Sequence, residues 1–147
     1  LKILALDYGD ARIGVARSDD LGMLAHPVMT VSAQPWAEAA RKIAGLVTEH
    51  RATLLLVGLP VREDGTEGTA AEKVRKFCGL LTPLLAPDFP VKFHDEYRST
   101  ETAKQHLRAA GRKEKTQRGI IDQVAAVVIL QEYLDQQAAA LPIPDFM

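Results

Sequence analysis

Apolar positions along this chain fall into two rhythms. Short unbroken runs occur at Ile3–Leu6, Ile13–Ala16 and Leu54–Val57, as in strands buried on both faces. Elsewhere apolar residues recur every three or four positions: Trp36, Ala39, Ala40, Ile43, Leu46 and Val47, then Val74, Phe77, Cys78 and Leu81. That spacing predicts amphipathic helices. Read in order, the pattern predicts strands over 1–8 and 12–18 joined by a tight turn. A third strand runs from Met23 to Val31, with Pro27 marking an edge or a bend. Pro35 suits a helix first turn, and this helix reaches His50. A fourth strand covers Thr53–Val57 and ends in Gly58-Leu59-Pro60. A second helix starts between Thr66 and Ala70, where Thr69 and Glu72 have capping-box spacing. Val91–Asp95 is the fifth strand, and Ser99 or Thr100 then caps a short helix stopped by Gly111. Arg112–Arg118 reads as a polar, basic loop. The last helix, from about Gly119 to Gln137, is apolar nearly all round, which predicts burial. Strand, helix, strand order implies a crossover and a parallel pair in an α/β fold. The domain spans 1–137, and the tail 138–147 lacks periodicity.

Composition narrows this little. A chain of 147 residues with 47% hydrophobic content can bury the core of one domain. A single cysteine, Cys78, excludes an internal disulfide framework and a cysteine-rich zinc site, fits a reducing cytoplasm, and reads as a buried structural thiol. No stretch has the length of a membrane span, and the first residues already read as strand, with no signal-peptide pattern. Net charge is −1, but its distribution is uneven. The segment 98–118 has seven basic residues, Lys113, Lys115 and Arg118 among them, against two acids. A local basic segment on a near-neutral chain is a candidate phosphate-binding face, or simply a solvated surface.

The chemistry lies in three acids placed against apolar elements. Asp7 ends the first apolar run, Glu96 follows the fifth strand, and Asp122 lies in the first turn of the last helix. Each alone is explained as a turn or cap carboxylate. Three together, at the ends of elements expected to be neighbours, suggest one focus. Clustered carboxylates bind hard divalent cations such as Mg²⁺ or Mn²⁺, and such metals promote in-line phosphodiester cleavage. Two loops could complete the site. The 58–66 loop carries Gly58, Arg62 and Gly65, and Arg98, Ser99 and Thr100 offer a cation and hydroxyls to phosphate.

Four blocks in register, LDYGDARIGVA (6–16), VGLPVREDGTEG (57–68), FHDEYRST (93–100) and IIDQVAAVVIL (120–130), carry a family resemblance. The chain resembles the YqgF/RuvX family, described as Holliday junction resolvases and as pre-16S rRNA nucleases, over residues 1 to about 135. The resemblance implies a ribonuclease H-like fold: a five-stranded mixed sheet, second strand antiparallel, flanked by helices. It implies catalytic carboxylates at Asp7, Glu96 and Asp122 holding Mg²⁺ or Mn²⁺. Arg62 stands where the family commonly has asparagine, and Tyr97 and Arg98 stand in exchanged order. The implied partner is nucleic acid, RNA ahead of DNA, and the implied state a monomer or homodimer. Two other classes compete. Actin-like nucleotide folds share the D-x-G turn but need two such domains. A non-catalytic binding module would be expected to lose the acids, which are intact here.

Overall fold

The computed structural model describes residues 1–95 and 114–140, with side chains described for 1–95 and 124–140. The apolar runs become β1 (Ile3–Tyr8), β2 (Arg12–Ser18) and β4 (Leu54–Leu59), with β3 (Ala25–Ser32) and β5 (Val91–Asp95) outside them. They form one five-stranded sheet in the order β3-β2-β1-β4-β5. β1 pairs antiparallel with β2 and parallel with β4; β2 and β3 are antiparallel, β4 and β5 parallel. This is the mixed sheet with an antiparallel second strand that the resemblance implies. The helices are α1 (Trp36–Glu49), α2 (Thr69–Leu81) and α3 (Glu114–Ala140).

Alternation along the central strands divides the core in two. Leu4, Leu6, Leu55 and Val57 join Ile43, Val74 and Phe77 beneath α1 and α2. Ile3, Ala5, Ala16, Leu54 and Leu56 join Ala126, Ile129 and Leu130 beneath α3. Burial on both faces is why β1 and β4 read as unbroken apolar runs. Among the described residues no helix is long and apolar enough to cross a membrane.

Several boundaries differ from expectation, each for a local reason. β3 begins at Ala25, not Met23, because the Asp19 carboxylate accepts the Met23 N–H at 2.8 Å and closes the turn first. That bond holds the Asp19 carboxyl below its usual range. β4 runs on to Leu59. Pro35 sits at the N-cap of α1, just outside its first turn. The N-cap of α2 is Gly68, which makes no side-chain cap, so Thr69 is inside the helix and the expected capping box is not formed. The largest shift is in α3, which starts at Glu114 instead of Gly119 and continues to Ala140. The residues expected as the end of a basic loop, Lys115 and Arg118, are therefore helical. The expected short helix capped by Ser99 or Thr100 lies outside the described residues.

Cys78 is buried in the α2 core, as expected of a structural thiol. Burial pushes its pKa from 9.0 up to about 11, against a smaller opposing pull from Arg75. Below pH 9 the thiol is protonated in both folded and unfolded chains. Between pH 9 and 11 only the unfolded chain ionises, so stability falls as pH rises, by on the order of 2 kcal/mol at the upper end. Urea unfolding at pH 8 and pH 10.5 should show this loss in the wild type and a smaller one in Cys78→Ala. Equal losses in the two proteins would refute the assignment.

Candidate active site

β1 directs Ile3, Ala5 and Asp7 to the α3 face and Leu4, Leu6 and Tyr8 to the other. Asp7 is only 8% exposed, and it shares with Ser18 the distinction of being a buried polar residue among the described residues. Ser18 serves the fold, since its hydroxyl accepts the Ile3 N–H at 2.8 Å. Asp7 pairs across the ladder with Gly14 of β2. On its other side Leu6 pairs with Val57, and β4 continues to Gly58, which pairs with His94 of β5. Directly paired residues share a face, so one row reads Gly14, Asp7, Gly58, His94 on the α3 side. A carboxylate between two glycines has no side chain beside it within that row. The strand spacing leaves about 10 Å between β1 and β5, with glycine alone between them. The result is a glycine trough in the layer of side chains, with the buried acid between its two glycines.

Behind Asp7, Tyr8 is locked from the opposite face. Its hydroxyl accepts the Trp36 indole N–H at 2.7 Å, and its ring lies 5.3 Å from that of Phe77. Beside it, Asp10 forms an exposed ion pair with Lys73 of α2 at 3.2 Å. The acid is thus held on a rigid strand end.

The loop after β4 is built by its own hydrogen bonds. Val61 bridges to Glu67, and the Arg62 N–H donates to Thr66 O at 2.8 Å. Asp64 accepts both the Thr66 hydroxyl and its N–H, which holds the Asp64 carboxyl low. Gly65 has φ +84°, a conformation that favours glycine. Arg62 folds back over Gly68, where an added Cβ would stand 3.0 Å from its Nη2. Arg62, Glu63, His94, Asp95 and Glu132 line a cleft of about 700 Å³.

Of the residues predicted from sequence, Asp7 and Arg62 are therefore described with their side chains. Lys115, Arg118 and Asp122 lie on α3, where the backbone alone is described. Glu96, Arg98, Ser99, Thr100 and Lys113 fall outside the described residues. Asp122 is the ninth residue of α3, well beyond the first turn. A helix-dipole role, expected for a first-turn acid, does not apply to it, because that effect fades after one turn. Among the described residues no three His, Cys, Asp or Glu side chains gather as a metal site. His94 lines the cleft, and its Nε2 donates to Glu132 Oε2 at 3.1 Å. Its sequence signal was weak: a histidine two residues before Glu96, with a partner 38 positions away.

A central strand carrying a buried acid near its end, in a sheet ordered β3-β2-β1-β4-β5 with α3 across the acid's face, defines a ribonuclease H-like fold. Solved structures of this fold agree. RuvC of Thermus thermophilus in complex with a Holliday junction substrate aligns with a TM-score of 0.56 at 15% identity, over 94% of this chain and 96% of that one. The fowlpox virus resolvase with Holliday junction DNA aligns at 0.59 and 10%, over 93% and 99%.

The chain belongs to the RuvX family, whose model, described as Holliday junction resolvase, matches residues 1–136. Relatives named as candidate pre-16S rRNA nucleases include one from Streptomyces coelicolor, 48% identical over 91% of this chain and 80% of its own. Others come from a Synechococcus strain, 40% identical over 96% and 82%, and from Crocosphaera subtropica, 36% identical over 96% and 97%.

Proposed function

We propose that this chain is a divalent-metal-dependent nuclease acting on structured nucleic acid, with the 5′ end of pre-16S rRNA as its substrate. The observation that carries the reading is Asp7: a buried carboxylate at the end of the central strand, between two glycines, on the face that α3 covers. A strand buried on both faces seldom carries an acid, because a buried carboxylate needs partners that an apolar side chain does not. Asp7, Glu96 and Asp122 would hold Mg²⁺ or Mn²⁺ through oxygen, the donor type these hard cations select. When bound, the ion supplies an activated water and a counter-charge for the leaving oxygen.

The chain's own residues orient the phosphodiester. Gly14 and Gly58 put no side chain of their own beside Asp7, which would let a backbone phosphate approach it closely. Arg62, with Arg98, Ser99 and Thr100, would grip phosphates flanking the one to be cut. Lys113, Lys115 and Arg118 would extend the grip along the strand. The relatives' names support the RNA reading, and a cytoplasmic location goes with it. The family description and the RuvC-like fold support the second reading, resolution of a four-way DNA junction by a homodimer.

The deciding experiment offers three substrates of matched length with Mn²⁺: a pre-16S 5′ leader RNA, single-stranded DNA and a four-way junction. Cutting of the RNA alone upholds the first reading. Paired symmetric nicks in the junction by a dimer move the protein to recombination. Tight binding without cutting of anything would leave a non-catalytic module. Charge reversal, Lys113→Glu with Lys115→Glu, should weaken substrate binding about tenfold at roughly 50 mM salt and less at about 200 mM, since displaced counterions drive such contacts. Wild-type affinity at both salt concentrations would remove this segment from the substrate face.

A further inference from the structure

Three consecutive residues of α3 reach opposite edges of the sheet. Gln131 spans the start of β3: its Oε1 accepts the Ala25 N–H at 2.9 Å and its Nε2 donates to Met23 O at 2.9 Å. Glu132 and Tyr133 reach the other edge, β5. Glu132 Oε2 accepts from His94 Nε2 at 3.1 Å, and Lys92 Nζ donates to the Tyr133 hydroxyl at 3.3 Å. One helical turn is thus strapped to both edge strands, across β2, β1 and β4.

The apolar contacts beneath α3 cannot do this alone. They set Ala126, Ile129, Leu130, Tyr133 and Leu134 over Ile3, Ala5, Ala16, Leu54 and Leu56, and hydrophobic attraction has no direction. Such a seam resists lifting the helix more than it resists sliding or rolling it. Hydrogen bonds to two edges fix both motions, since each is lost within a few tenths of an ångström. His94 also stands in the same row as Asp7, with Gly58 between them. The strap on the β5 side is therefore anchored at the level of the buried acid.

We infer that Gln131 and Glu132 are positioning residues that set the register of α3 over the trough, and through it the metal affinity of the site. The inference rests on the metal-dependent reading above. α3 carries Asp122, and β5 leads directly into Glu96, so the strap joins the two elements that must bring these acids to Asp7. Neither Gln131 nor Glu132 touches the reacting phosphate or the ion in this scheme.

The test is Mn²⁺ binding to the nucleic-acid-free protein by calorimetry, alongside Mn²⁺ titration of cleavage and thermal melting. Gln131→Ala with Glu132→Ala should raise the Mn²⁺ dissociation constant about tenfold, the lower end for residues that orient metal ligands. Half-saturation of cleavage by Mn²⁺ should rise in parallel, while cleavage at saturating Mn²⁺ recovers to within about threefold of wild type. Glu132→Gln retains an oxygen acceptor for His94 and should bind Mn²⁺ within about twofold of wild type. Wild-type Mn²⁺ affinity in the double variant would overturn the inference. So would a Glu132→Gln protein as weak as the double variant, because the carboxylate's charge and not its bond would then be at work. If the wild type binds Mn²⁺ and cuts while the variants match it, this inference alone fails. If the wild type neither binds Mn²⁺ nor cuts, the nuclease reading fails and takes this one with it.

Discussion

Asp7→Asn should lose cleavage of every substrate by at least about a thousandfold while melting within a few degrees of wild type. The substitution keeps the size and shape of a side chain that is 8% exposed on the central strand, so the ladder with Gly14 persists. It replaces one anionic oxygen by an amide nitrogen, which cannot ligate a hard cation. Metal-held charge is worth several kcal/mol in the transition state, and each ~1.36 kcal/mol is tenfold in rate. Single-turnover cleavage at saturating Mn²⁺, with circular dichroism melting in parallel, measures both quantities. A variant that cuts at the wild-type rate would remove Asp7 from the chemistry. One that fails to fold would show that the carboxylate serves packing first.

Phe77→Ala should be the most damaging of the core truncations. Phe77 is 1% exposed and closes a three-ring cluster, 5.3 Å from the Tyr8 ring and 6.1 Å from that of Trp36. Removing a buried phenyl ring costs about 3–5 kcal/mol, which for a chain of this size lowers the melting temperature by roughly 10–15 °C. Tyr8 follows Asp7 directly and loses one of its two ring neighbours, though it keeps the Trp36 ring and hydrogen bond. Cleavage measured well below the new melting temperature should therefore fall less than about tenfold. A melting temperature lowered by under about 3 °C would mean that the cluster closes over the gap and that Phe77 is not its keystone.

Which features could be read in the chain follows from how each is specified. β1 and β4 were legible because strands buried on both faces need unbroken apolar runs. Asp7 was legible for the converse reason, as an acid where the run forbids one. β3 was displaced by two residues because an edge strand has a weaker pattern and its start is fixed by an Asp19 side-chain bond. The first turns of α3 could not be read as helix: Glu114–Arg118 is polar throughout, and an exposed polar turn has no apolar period to betray it. The glycine trough was hidden too. Gly14 and Gly58 become neighbours of Asp7 only through strand register, and His94 meets Glu132 only through the packing of α3. Local pattern specifies elements; what stands next to the acid is specified by pairing between distant ones.

The two faces of the sheet are completed at different moments of synthesis. The buried residues of the α1 and α2 face all lie within the first 81 residues, and Leu85, Phe89 and Val91 pack at its margin. The opposite face, with Ile3, Ala5, Ala16, Leu54 and Leu56, is covered among the described residues by α3, whose first residue, Glu114, comes 60 positions after Leu54. At roughly 5–20 residues per second, several seconds separate completion of that apolar strip from the arrival of α3. During that interval the half-built domain offers a chaperone the very surface that α3 will later cover.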